Sequence, residues 1–238
     1  IPRKIAVYYM LSIIGIIAFW MTDGTFSEWL GYWFLFYTVP LWNQIGYHRW
    51  LAHRMFEPYV PYKWLLLYSM VLSGLAAPLK WVYAHRVHHI TYDHPINDPH
   101  PNTLGLMRLF FGDFNVPKNT RVPLKDVIRE KGMMFIERNF IKLQILNLTI
   151  FWLIDPHLAM LTPLFAMVRP MVHVTTFNFA GHNWWGKKRI QTNIEPWWLQ
   201  PFLISKYAPE HGNHHDDPRC ASFSWTTDRS ADSRDLAF

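Results

Sequence analysis

Four long apolar runs dominate the chain. Residues 5–21 are almost continuously apolar, and 29–46 form a second run that ends around Asn43 and Gln44. The loop between them, 22–28, carries Asp23 and Glu28 but no basic residue. The arrangement returns late in the chain. Runs 140–154 and 158–180 are joined at Asp155, Pro156 and His157 and interrupted by Asn147, Arg169 and His173. A helix needs about 20 apolar residues to cross a bilayer core. The pattern therefore predicts four transmembrane helices in two hairpins. Polar side chains at that depth are costly and turn toward the protein interior, or snorkel to the surface, as Arg169 is placed to do.

Between the hairpins the pattern changes. Residues 62–79 are apolar but hold Ser69, Ser73, Gly74 and Pro78, which predicts a helix lying on a membrane or re-entering it rather than crossing. Residues 95–123 are rich in Pro, Asn and Asp and read as loop. Residues 125–138 read as a helix leading into the third span. The expected fold class is an all-α membrane protein, one domain over 1–238. It comprises a first membrane hairpin (1–46), a cytosolic or interfacial segment (47–138), a second hairpin (139–180) and a cytosolic segment (181–238). The two polar segments form a cytosolic helical cap. No cleavable signal peptide is expected, and both ends read as trimmed.

Composition supports this mixed picture. Of 238 residues, half are apolar, 17% aromatic and only 17% charged, less charge than a soluble domain carries. Mean hydropathy is nonetheless near zero, at −0.03, so a sizeable polar part accompanies the apolar runs. The net charge of +6 comes without a nucleic-acid motif, which argues against a nucleic-acid partner. All but two of the 23 Lys and Arg lie in residues 1–4, 47–138 and 179–238, and neither hairpin tip has any. By the positive-inside rule the termini and both polar segments face the cytoplasm. A single cysteine, Cys220, excludes an internal disulfide and a multi-thiolate metal site.

The chemistry lies in histidine. Nine of the 13 fall in four groups: His48 and His53 in HRWLAH, His85, His88 and His89 in HRVHH, His182 in NFAGH, and His211, His214 and His215 in HGNHH. The charge argument puts all four on one side. Neutral imidazole is a ligand for Fe, Zn, Cu and Ni. On an α-helix the i, i+3, i+4 spacing of each HxxHH presents three rings to one side. His48 and His53, five apart, would diverge by about 140°, which suits straddling two ions better than gripping one. Nine imidazoles exceed the ligand number of one ion and match two. His94 and His100 follow the second group as outer-sphere or loop residues, and Asp93, Asp98, Asp216 and Asp217 are carboxylates that could orient ligating rings. No HExxH, CxxC or paired Glu-x-x-His occurs, which disfavours a zinc hydrolase and a soluble di-iron carboxylate bundle.

This pattern resembles the membrane fatty acyl desaturases, in particular the Δ9 acyl-CoA desaturase family. The likeness rests on HxxxxH at His48–His53, HxxHH at His85–His89, Asn-x-x-x-His at Asn178–His182 and HxxHH at His211–His215. GYHRWLAHRMF and Asp98–His100 agree as well. The resemblance implies two irons held by the nine histidines (zinc being possible in a purified sample), with Asn178 acting through water. It implies O2 as co-substrate, a fatty acyl-CoA or acyl-lipid as substrate, and a cis double bond at Δ9. Electrons come from a separate carrier such as cytochrome b5 or a ferredoxin. Tyr32 and Phe36, on the second run, are placed to close an acyl tunnel. Arg49, Arg54, Lys80 and Arg86, with Trp81, are candidates for the CoA phosphate or lipid headgroup. The rival readings are a membrane hydroxylase or alkane monooxygenase with the same ligands, and a non-catalytic metal carrier.

Overall fold

The computed structural model describes residues 3–74, 76–92, 94–100, 116–117, 120–173, 214–215 and 217–219. Within them lie eight α-helices and one π-helix. α1 is Arg3–Met21 and α2 is Phe26–Tyr37. Thr25 starts α2 with a capping box: its hydroxyl accepts from the Glu28 backbone N–H while the Glu28 carboxylate accepts from the Thr25 backbone. Two of the orphan donors of the first turn are satisfied in this way. α2 ends at Thr38, and Pro40, which has no N–H to donate, sits in the short α3, Val39–Asn43. The chain then widens into the π-helix Gln44–Ala52, every residue of which is buried. α4 (Val60–Leu72), α5 (Pro78–Thr91), α6 (Lys125–Ile128), α7 (Met133–Ile154) and α8 (Pro156–His173) follow.

The expectation of four transmembrane helices is overturned: among the described residues no helix is long and apolar enough to cross a membrane. The second run is divided among α2, α3 and the π-helix, the longest piece being 12 residues. α7 has 22 residues but carries Glu137, Arg138 and Lys142. The expected helix over 62–79 is also two elements, α4 and the start of α5, parted at Gly74 with its φ of 62°. The expected helix over 125–138 breaks at Gly132, where a φ of 85° and the close Trp64 ring leave no room for a side chain. α7 starts from there.

Two apolar cores hold these elements. One joins Tyr47, Trp50 and Leu51 of the π-helix to Leu66 and Met70 of α4, Val82 of α5 and Met133 and Phe140 of α7. At ~1.5–3 kcal/mol per fully buried large side chain, it fixes the π-helix against α4 and α5. The other gathers Phe19, Phe36, Leu161 and Phe165, where α1 and α2 meet α8. α1 and α8 approach closely at Gly15, where a Cβ would fall on the carbonyl oxygen of Met160. The outward faces of α1, α2 and α7 are apolar too: Ile13, Ile14, Phe34 and Leu153 are all more than half exposed.

Candidate metal centre

The π-helix explains how HRWLAH works. An i→i+5 hydrogen bond runs from the His53 N–H to the His48 carbonyl at 3.1 Å. Residues five apart then lie about one turn from each other, so the 140° divergence expected of an α-helix does not arise. The rings of His48 and His53 meet edge to face at 4.8 Å between centroids, in one group rather than astride two. Widened turns of this kind recur at functional sites.

α5 divides its three histidines. His85 and His89 are one turn apart, about 40° around the axis, while His88 lies about 60° to the other side. His85 and His89 accordingly join His48, His53 and His214 in one cluster whose ring nitrogens all lie within 4.8 Å of one another. The Nε2 atoms run in sequence, His53 to His85 at 2.8 Å, His85 to His89 at 3.1 Å, His89 to His214 at 3.1 Å and His214 to His48 at 2.8 Å. A six-coordinate ion with ~2.1 Å metal–nitrogen bonds spaces neighbouring donors ~3.0 Å apart and opposite donors ~4.2 Å apart. The cluster fits such an ion with a contraction of a few tenths of an ångström.

Electrostatics keep these rings in the ligand form. Burial, reinforced by the charges of Arg86 and Arg219, pushes the His53 pKa down to about 3. Burial and the neighbouring histidines hold His85 well below the usual imidazole range. Both rings are neutral at neutral pH, with a lone pair to offer.

His88 belongs to an adjoining group with Asp98 and His100. Its Nδ1 lies 2.8 and 3.0 Å from the two Asp98 carboxylate oxygens, and both residues are 1% exposed. Asp98 also accepts from the His100 backbone N–H at 2.9 Å. A carboxylate on Nδ1 fixes the ring and turns Nε2 toward a metal. His215 links the groups, stacked on His89 at 4.4 Å and edge-on to His88 at 4.9 Å. His182, His211 and Asn178, like Asp93 and Asp216, lie outside the described residues.

The expected substrate contacts separate. Arg86 donates to the Leu51 and Ala52 carbonyls, to the Pro123 carbonyl and to Asp126. Arg54 donates to Asp126 and Glu130, and Glu130 also binds Lys63. Both guanidinium groups are thus engaged by the protein rather than open to a phosphate. Burial alone would raise the two carboxyls, but Arg86 and Arg54 hold Asp126 well below its usual range, and Lys63 and Arg54 hold Glu130 below its own. Arg49 is 1% exposed within the π-helix, while Lys80 is exposed. Trp81 stacks face to face on His85 at 4.8 Å, so it covers a cluster ring. Tyr32 donates to Asp155, and Phe36 stacks on Phe165 at 4.7 Å; both belong to the second core.

Sequence reasoning missed Gln44, whose side-chain amide lies 2.7 Å from His48 Nδ1. A polar residue closing an apolar run, four positions before a histidine, was the available signal.

No family model matches the chain. It is similar to the Delta-9 acyl-lipid desaturase 2 of Arabidopsis thaliana, 30% identical over 203 residues, which is 80% of this chain and 65% of that protein. It is also similar to the sn-1 stearoyl-lipid 9-desaturase of Anabaena variabilis, at 30% identity over 72% of this chain and 64% of the relative. The protein of the same description from Synechocystis sp. is 27% identical over 90% and 70%. The chain thus spans a little under two thirds of the length of the first two.

Proposed function

From the chain's membership of the fatty acid desaturase family, we propose that it introduces a cis double bond into the saturated acyl chain of a lipid, at the ninth carbon. The observation that carries the reading is the convergence of His48, His53, His85, His89 and His214, drawn from three distant segments, on one buried point. An alkyl C–H bond offers no acid–base handle, so side chains alone cannot cleave it. Bound iron supplies what the side chains lack, the reductive activation of O2. In the proposed site those five histidines would hold one iron. His88 and His215 would contribute to a second; His182, His211 and Asn178, which the family resemblance adds to it, lie outside the described residues. Removing two hydrogens yields two electrons; an external carrier such as cytochrome b5 or a ferredoxin supplies the other two needed to reduce O2 to water.

The chain's own residues prepare the site. Burial keeps the His53 and His85 rings neutral and ready to bind. The Asp98 carboxylate holds the Nδ1 proton of His88 and so presents Nε2. Trp81 shields one face of His85 from water. The named activities of the relatives favour an acyl-lipid over an acyl-CoA. The exposed apolar faces of α1, α2 and α7 support work at a lipid surface.

Expression of the full chain in a desaturase-deficient host, followed by lipid analysis, tests the proposal. The expected product is a monounsaturated acyl-lipid, lost in His214→Ala while the protein remains folded. An alcohol in place of the olefin refutes desaturation in favour of hydroxylation. Product that persists in His214→Ala refutes the site.

A further inference from the structure

Gln44 is buried at 7% exposure in the first turn of the π-helix, and its side-chain nitrogen lies 2.7 Å from Nδ1 of His48. The other ring nitrogen, Nε2, lies 2.8 Å from Nε2 of His214. A neutral imidazole carries one proton, and which nitrogen holds it depends on what the other meets. With the amide N–H donating to Nδ1, the proton sits on Nε2 and is donated to His214. That tautomer has no lone pair to give a metal at Nε2. Rotating the amide by half a turn presents its carbonyl oxygen instead, which accepts a proton on Nδ1 and frees Nε2.

Resting on the reading of the five-histidine cluster as a metal site, we propose that Gln44 is a positioning residue that sets the tautomer of His48, its amide reversing as the metal enters or leaves. The ring keeps one proton throughout; only the nitrogen that carries it changes. Glutamine suits this role because its amide both donates and accepts at one end. Asp98 contrasts with it. As a carboxylate it only accepts, so it holds His88 permanently with the proton on Nδ1. The two metal positions therefore differ in kind, one supported by an anion and one by a neutral, reversible group.

Two near-isosteric variants separate tautomer control from packing. Gln44→Met fills the same space and offers no hydrogen bond. Gln44→Glu only accepts, as Asp98 does. The assay is zinc(II) affinity, measured on the full chain by chelator competition, with folding checked by circular dichroism; zinc has no redox chemistry to confuse the reading. Loss of an outer partner to a ligating histidine costs about 10–100-fold in metal affinity. Gln44→Met is expected to weaken zinc by about that factor, whereas Gln44→Glu binds as tightly as the parent or more so. Equal weakening of both variants, or no change in Gln44→Met, overturns the proposal. If Gln44→Met does not fold, Gln44→Glu decides: weaker zinc overturns the proposal, equal or tighter zinc upholds it. Absence of zinc binding by the parent chain overturns the metal site itself, and the proposal with it.

Discussion

Replacing Arg86 with Met tests how the π-helix is held at the cluster. The guanidinium donates at 2.9 Å to the carbonyl oxygens of both Leu51 and Ala52, and at 2.7 and 3.0 Å to the two Asp126 carboxylate oxygens. Leu51 and Ala52 form the end of the π-helix, where carbonyls lack an intrahelical partner, and His53 follows directly. Arg86 thus caps one histidine-bearing helix from another. Methionine keeps the aliphatic stem but donates nothing. Each of these two carbonyls deprived of its donor costs about 1 kcal/mol, whereas the Pro123 carbonyl, bonded at the exposed surface, turns to water. Asp126 is 39% exposed at its side chain, so water screens the lost ion pair and its share is at most about 1 kcal/mol. The total is about 3 kcal/mol, or roughly 6–12 °C in Tm for a chain of this length. Arg86→Lys keeps the charge but cannot reach both carbonyls and Asp126 together, so about half that loss is expected. Equilibrium urea denaturation followed by circular dichroism gives the number. A loss for Arg86→Met below about 0.5 kcal/mol, the range of ordinary surface changes, refutes the capping argument.

Three further outcomes follow from the structure. Gly15→Ala places a Cβ on the Met160 carbonyl and should cost about 1–3 kcal/mol by forcing α1 and α8 apart; an unchanged urea midpoint contradicts that close approach. Glu137 accepts from the Leu79 N–H at 2.8 Å and so serves as the missing cap of α5. Glu137→Ala should destabilise by about 1 kcal/mol, and a neutral result in the same assay removes the capping role. Asp126 and Glu130 titrate lower in the folded chain than in the unfolded one. Their stabilisation is therefore complete above the unfolded values near ~4 and is lost as pH falls through the folded ones. Acid unfolding of an Asp126→Asn, Glu130→Gln variant should be shallower below pH ~4, and a curve that superimposes on the parent's disproves the linkage.

The histidine groups were legible because metal-ligand spacing is local, and HRVHH keeps its α-helical geometry. The relation between His48 and His53 was not, because it depends on a turn wider than 3.6 residues and nothing in HRWLAH announces one. Arg54 and Arg86 read as free positive charge. Their carboxylate partners are far along the chain (72 residues separate Arg54 from Asp126), and only the packed fold brings them together. The apolar runs were plain, but hydropathy does not reveal that Thr38 and Pro40 break the second of them or that the helix of the third, α7, takes in Glu137, Arg138 and Lys142. The Asp98 carboxylate stands out in the sequence as a partner for a ligating ring, while Gln44 reads only as the polar end of an apolar stretch.

In the π-helix, loop length and helical pitch are one variable. Deleting a single residue between His48 and His53 would not simply shorten the segment. It would let the backbone relax to ordinary α-helical winding, with the two rings still about one turn apart but the buried face of the helix rotated against α4 and α5. Natural variation in this segment should therefore substitute side chains of like size and polarity before it ever changes the count between the two histidines.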